Sequence, residues 1–283
     1  MPRASVNGIE LAYETYGAGP PLVLAHGLAA SKEMWDGQIG PFSERYCVVV
    51  YDTRGHGESS APPADDSGYT LDTFVEDQRG LMEQLGIEQA YVGGLSMGGM
   101  IAMRLALAYP KMVRALLLCD TSAGGAAMSA VTRQIQANRP LVETLVRSFG
   151  LTALARTIYG RMESAGVGAK ATMPAGIQNH MGQLQNMTAD GFLGAGRALA
   201  DQASVQDRLR EISVPTLIIT GEQDFMRGPS EEMKQLLPDA RFVLIKDSYH
   251  GTSMWQPEKF TAAVLDFLGD VEASRPVAGK EER

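Results

Sequence analysis

Apolar residues along this chain fall into two alternating kinds of segment, short and nearly continuous runs and longer stretches with helical spacing. Ile9–Tyr16, Pro21–Ala25, Tyr46–Tyr51, Ala90–Leu95, Val113–Asp120, Pro215–Gly221 and Arg241–Lys246 are strand-length and rich in Val, Leu and Ile, as strands buried on both faces require. Between them, Thr70–Leu85 sets Leu71, Phe74, Val75, Leu81, Met82 and Leu85 on one face and stops at Gly86, a natural C-terminal cap. Gly98–Tyr109 is helix-forming, and Pro257 opens a helix with Phe260, Ala263, Val264, Phe267 and Leu268 on one face. This alternation predicts an α/β fold, a mostly parallel central sheet with helices on both faces.

The alternation breaks at Thr121-Ser122-Ala123-Gly124-Gly125, and strand-like runs return only at Val214. The segment between is helical in character, with Met128, Met162, Met173, Met181 and Met187 spread through it. The expected organisation is therefore a core of residues 1–122 and 212–270 with an inserted helical lid over 123–211. The polar tail Val271–Arg283 lacks an apolar face and is expected to be disordered.

Charge narrows the function classes. The chain carries 25 Lys and Arg against 33 Asp and Glu, net −8, with no basic patch, which argues against nucleic acid or an anionic membrane as partner. No stretch approaches the ~20 apolar residues of a membrane span, and Met1–Gly8 lacks an apolar signal core, so a cytoplasmic protein is expected. Cys47 and Cys119 each fall inside an apolar strand and read as buried free thiols. No metal-ligand spacing and no cofactor motif is present, and a homo-oligomer is left open.

The chemistry concentrates at Gly94-Leu95-Ser96-Met97-Gly98, where a strand breaks into a Gly-x-Ser-x-Gly turn and then a helix. Such a nucleophile elbow pushes the serine Oγ out above the sheet. A serine nucleophile needs a base, an acid to orient that base, and donors for the oxyanion. His250 follows the strand Arg241–Lys246 and is the expected base; Asp224 leaves the strand Pro215–Gly221 and is the expected acid. Asp120 also ends a strand and could supply the acid instead, with Asp52 a weaker rival. The backbone N–H groups of Leu28, in the loop after Pro21–Ala25, and of Met97, at the start of the following helix, are the expected oxyanion hole. Of the other histidines, His26 is expected to brace that loop, His56 to be structural, and His180 to lie in the lid.

The motifs His26-Gly27-Leu28, Met34-Trp35-Asp36, Tyr51–Ser59, Gly94–Gly99, Gly221-Glu222-Gln223-Asp224 and Gln256–Phe260 stand in an order that resembles the α/β-hydrolase superfamily. Within it, they resemble small bacterial esterases and lactonases of the 3-oxoadipate enol-lactonase kind, over about residues 5–122 and 212–268. The resemblance implies an α/β-hydrolase fold and cofactor-free hydrolysis of a small-molecule ester or lactone. The same triad would serve a carbon–carbon bond hydrolase or a cofactor-free haloperoxidase or perhydrolase. Carbon–carbon hydrolases of this fold tend to have Asn where Leu95 stands and Trp where Gly251 stands, which ranks them lower. Ser96 excludes the aspartate-nucleophile chemistry of epoxide hydrolases, and a ligand-binding receptor on a hydrolase fold is the non-enzyme alternative.

Overall fold

Apolar runs bounded by turn residues become the strands of one sheet in the computed structural model, which describes residues 1–64, 68–124, 136–154 and 187–274. The strands are β1 (Arg3–Val6), β2 (Ile9–Tyr16), β3 (Pro21–Ala25), β4 (Cys47–Tyr51), β5 (Ala90–Leu95), β6 (Val113–Cys119), β7 (Thr216–Gly221) and β8 (Arg241–Ile245). Their order across the sheet is β1-β2-β4-β3-β5-β6-β7-β8. The pairs β1–β2 and β2–β4 are antiparallel and all the others parallel. The helices are α1 (Asp36–Ser43), α2 (Leu71–Gln84), α3 (Met97–Ala108), α4 (residues 136–154), α5 (Ala189–Ala200), α6 (Arg227–Leu236), α7 (Thr252–Trp255) and α8 (Pro257–Ala273).

Side chains alternate across the central strands and build a core on each face. Val23 of β3 and Leu116 and Leu118 of β6 face one side, where they meet Phe74 and Leu81 of α2 and Ile101 of α3. Leu22, Leu24 and Leu117 face the other, against Phe42 of α1 and Phe260, Val264 and Leu268 of α8. The fold is thus an α/β sandwich with helices on both faces, and no helix among the described residues is long and apolar enough to cross a membrane. Helix α2 starts where Thr70 Oγ1 accepts the Thr73 N–H. It ends with Gly86 at φ 68°, where the Ile87 N–H reaches the Met82 carbonyl and the Gly86 N–H that of Glu83, a Schellman closure.

Three elements differ from the sequence reading. Strand β1 is an added edge strand whose residues alternate exposed and buried over only four positions, too short for its period to register. Helix α1 contains Gly37, Gly40 and Pro41, which mask its helical pattern. The tail begins later than Val271, because α8 runs to Ala273 and Val271 extends the face of Phe267 and Leu268 onto the core. Cys119 is buried and Cys47 half-buried, and both are free thiols. His180, Met128, Met162, Met173 and Met181, residues 125–135 and 155–186 of the expected lid, and 275–283 of the tail lie outside the described residues.

The loop after β4 is anchored by a buried bidentate pair. Arg54 Nε and Nη2 donate to the two carboxylate oxygens of Asp77 in α2, both at 2.6 Å, and Nη1 donates to the Gly68 carbonyl at 2.7 Å. Removing one partner leaves an uncompensated buried charge. Asp77→Ala is expected to lower unfolding stability by about 3–5 kcal/mol in a denaturant titration, and a loss under ~1 kcal/mol would refute this account.

Candidate active site

Ser96 follows the last residue of β5 with φ 57° and ψ −114°, a conformation that costs a non-glycine residue energy unless its surroundings hold it. They do so through both backbone groups. The Ser96 N–H donates to the Cys119 carbonyl at 2.9 Å, and its carbonyl accepts from Met100 N–H at 3.1 Å and Thr121 Oγ1 at 2.7 Å. The flanking glycines are sterically required. A Cβ on Gly98 would overlap the Ala25 carbonyl of β3, one on Gly94 would overlap the Gly98 backbone, and one on Gly99 would come within 2.6 Å of Thr121 Cγ2. A side chain at any of these positions would push α3 away from the sheet.

Asp224 and His250 leave β7 and β8, two strands adjacent in the sheet, and their side chains meet. His250 Nδ1 lies 2.9 Å from Asp224 Oδ1, which also accepts the Met226 N–H at 2.9 Å. The Asp224 side chain is fully buried and the His250 side chain 30% exposed. With an acidic partner on Nδ1, the hydrogen belongs on that nitrogen and Nε2 is left as the acceptor a general base needs. Burial by itself would lower the His250 pKa, but the hydrogen bond and charge of Asp224 outweigh it and hold the imidazole above its ordinary value. Burial likewise pushes Asp224 up, yet the His250 hydrogen bond and charge, contact with Asp120 and the Met226 N–H bring it below the usual carboxylate range.

Sequence reasoning left Asp120 as a rival acid; its carboxylate turns instead to Gly221, Gly251 and Thr252. The Asp52 carboxylate is taken up by the Lys32 and Glu58 N–H groups, at 2.8 and 3.0 Å. Two neighbours of His250 were missed. Trp255 Nε1 donates to the His250 carbonyl at 3.0 Å, and the Phe225 ring, 57% exposed, lies 4.5 Å from the imidazole at 34°. The adjacency of Phe225 to Asp224 in the chain was the one available signal for the second.

The loop after β3 runs beside the serine. A Cβ placed on Gly27 would stand 3.5 Å from Ser96 Cβ, in ordinary van der Waals contact, so the loop and the serine pack directly against each other. His26 Nε2 accepts the Thr53 N–H at 3.0 Å while Nδ1 meets the Gly27 carbonyl at 2.7 Å. His56 Nε2 accepts the Ala29 N–H at 3.3 Å, and burial brings its pKa down to about 3, so it braces the loop as a neutral ring. Leu28 therefore sits between two braced positions. Met97 is the first residue of α3, where N–H groups have no intrahelical acceptor.

Comparison with known proteins identifies the family of the fold. A family model described as alpha/beta hydrolase fold matches residues 20–257. The chain is 31% identical over 261 residues to 3-oxoadipate enol-lactonase 2 of Acinetobacter baylyi, covering 90% of this chain and 92% of that one. Among solved structures, the enol-lactonase from Burkholderia xenovorans superposes with a TM-score of 0.79 at 29% identity, over 95% of this chain and 100% of that one. A thermophilic esterase from Thermogutta terrifontis, with malate bound, gives 0.83 at 30% identity, over 95% and 98%.

The electrostatics of the pair are directly measurable. A folded-state imidazole pKa above the unfolded ~6.5 means that the pair stabilises the fold fully below that value and that this contribution is lost as pH rises through the folded value. NMR titration of the histidine ring signals, with His250→Gln for assignment, is expected to place His250 above ~6.5, and Asp224→Asn to lower it. An unshifted His250, or one indifferent to Asp224→Asn, would contradict the assigned hydrogen bond.

Proposed function

The chain belongs to the alpha/beta hydrolase family and is an enzyme of its ester- and lactone-hydrolysing kind, and we propose that it cleaves a small to medium, largely apolar carboxylic ester or lactone through an acyl-enzyme on Ser96. The observation that carries the reading is the 2.9 Å contact of His250 Nδ1 with buried Asp224, at the same end of the sheet as the strained elbow serine.

In this mechanism His250 Nε2 removes the Ser96 proton as Oγ attacks the carbonyl carbon, and Asp224 holds the tautomer and stabilises the imidazolium. The N–H groups of Leu28 and Met97 receive the oxyanion, aided by the positive end of α3. The alcohol leaves with the proton from His250, and in a lactone it remains tethered to the acyl group. Water then attacks the acyl-enzyme by the same route, with His250 again as base, and releases the acid and free Ser96.

In this reading the described residues 136–154 and 187–200 belong to the lid. Val146, Leu151, Leu154 and Met187 cluster between α4 and α5, with Ala29 packed against them next to the candidate oxyanion loop. An adjoining cavity of about 300 Å³ is lined by Leu28, Val142, Phe192, Leu193 and Leu199, with Arg139 and Arg197 also on its wall. That lining favours an apolar body in the substrate.

Intact-protein mass spectrometry after a fluorophosphonate probe, run beside hydrolysis of p-nitrophenyl esters from acetate to octanoate, tests the proposal. A single adduct is expected, abolished by Ser96→Ala together with a fall in turnover of at least ~10³-fold. An adduct or full turnover surviving in Ser96→Ala, or neither occurring in the natural sequence, would overturn it.

A further inference from the structure

Asp120 ends the strand between those that carry Ser96 and Asp224, and it is fully buried. Its Oδ2 accepts from the Gly251 N–H at 3.0 Å, the Thr252 N–H at 2.7 Å and Thr252 Oγ1 at 2.9 Å. Its Oδ1 accepts from the Gly221 N–H at 3.2 Å. One carboxyl group thereby ties the end of β7 to the turn that follows His250. A further polar neighbour is another acid. The Asp120 carboxyl stands beside that of Asp224, because it binds Gly221, whose carbonyl accepts the Asp224 N–H at 3.2 Å, and Gly251, next to the His250 that Asp224 holds; Asp224 Oδ2 is buried with no N–H or O–H donor turned to it among the described residues. Two carboxylates are both acceptors only, so one of them must supply a hydrogen for the contact to be satisfied. Two buried carboxyl groups this close resolve their repulsion by sharing one proton.

We propose that Asp120 is a positioning residue that carries this proton on Oδ1 and donates it to Asp224 Oδ2, so that Asp224 is held in plane against His250 while Oδ2 of Asp120 anchors the turn at Gly251 and Thr252. The assignment of a positioning role rests on the reading of Asp224 and His250 as acid and base. The hydrogen lies on Oδ1 because Oδ2 already receives three donors. Asp224 is the ionised member because its Oδ1 faces His250 Nδ1 and the Met226 N–H, both donors. The groups facing Asp120 are Asp224, from the loop after β7, and His250, from the loop after β8; the adjoining Cys119 thiol is kept neutral by burial. Burial, and next the charge of Asp224, push Asp120 up to about 8 against the opposing pull of His250.

The sign of the linkage gives the test. An acid whose folded value exceeds its unfolded ~3.9 stabilises the fold at low pH, and this contribution drains away as pH rises from the unfolded to the folded value. Asp120→Asn keeps an oxygen for Gly251 and Thr252 and offers an N–H to Asp224 Oδ2. Its Tm relative to the natural protein is therefore expected to climb between about pH 4 and about pH 8 and then level off. A relative Tm that falls as pH rises through the ordinary carboxylate range means an ionised Asp120 and overturns the proposal. Carbon-13 NMR of aspartate-labelled natural protein decides the matter even if the variant does not fold. One carboxyl is expected to titrate near about 8, and the proposal fails if every aspartate titrates below about 6. In ester turnover, Asp120→Ala is expected to cost at least about tenfold more in kcat than Asp120→Asn, with KM little affected, since the alanine leaves Asp224 Oδ2 and the Gly221, Gly251 and Thr252 N–H groups unpaired and the asparagine only that of Gly221. Equal losses in the two variants would count against the shared proton. The Tm trend and the carboxyl titration need no catalysis, so a chain that fails to label at Ser96 would refute the hydrolase reading and leave these two outcomes standing.

Discussion

The backbone of α3 meets the backbone of β3 at Gly98 and Ala25, and the arrangement of the candidate site depends on that approach. Helix α3 can lie this close only because no Cβ intervenes at Gly94 or Gly98, and closeness forces the chain to turn sharply between strand and helix. Ser96 takes the positive φ that the turn demands, and the bonds to Cys119, Thr121 and Met100 offset its cost. The same approach brings the start of α3 beside the loop that leaves β3, so the Met97 and Leu28 amides belong to one neighbourhood. Candidate nucleophile and candidate oxyanion donors are thus two consequences of one packing contact.

Polar groups buried under the loops hold this end of the sheet without flexible ties. The His26 ring and the neutral His56 ring bond to Thr53, Gly27 and Ala29, and Arg54 is clamped to Asp77. Lys32, buried at 2% exposure, reaches Asp52 and Glu33. A buried ion pair of this kind contributes little net stability compared with apolar packing, while loss of one member is costly. What these groups supply is a fixed loop geometry, in which each donor and acceptor specifies one backbone path.

The central sheet was legible because β3, β5, β6 and β7 are buried on both faces and their apolar runs are nearly continuous. Strand β1 and helix α1 were not, since a four-residue alternation and a helix with two glycines and a proline leave no period to read. The elbow was legible for a steric reason that is local in sequence. The choice between Asp120 and Asp224 was not local: both end strands, and only the crossing of three loops decides which carboxyl reaches His250. Phe225 and Trp255 escaped notice on the same ground, as their relation to the imidazole arises from tertiary packing.

In the proposed acyl transfer, the charge state of the two acids bears on how well one imidazole can serve both halves. With Asp224 alone ionised, protonation of His250 makes a neutral pair, and the imidazolium is stabilised enough to form without being trapped. With both carboxylates ionised, the buried cluster would hold two negative charges around one imidazole. That surplus would make His250 a stronger base and, by the same free energy, a poorer acid toward the leaving alcohol. It would also place like charges in contact where water cannot screen them. A neutral Asp120 avoids both penalties while keeping four hydrogen bonds to the loops, so the acid that does not touch the imidazole still sets the conditions under which it works.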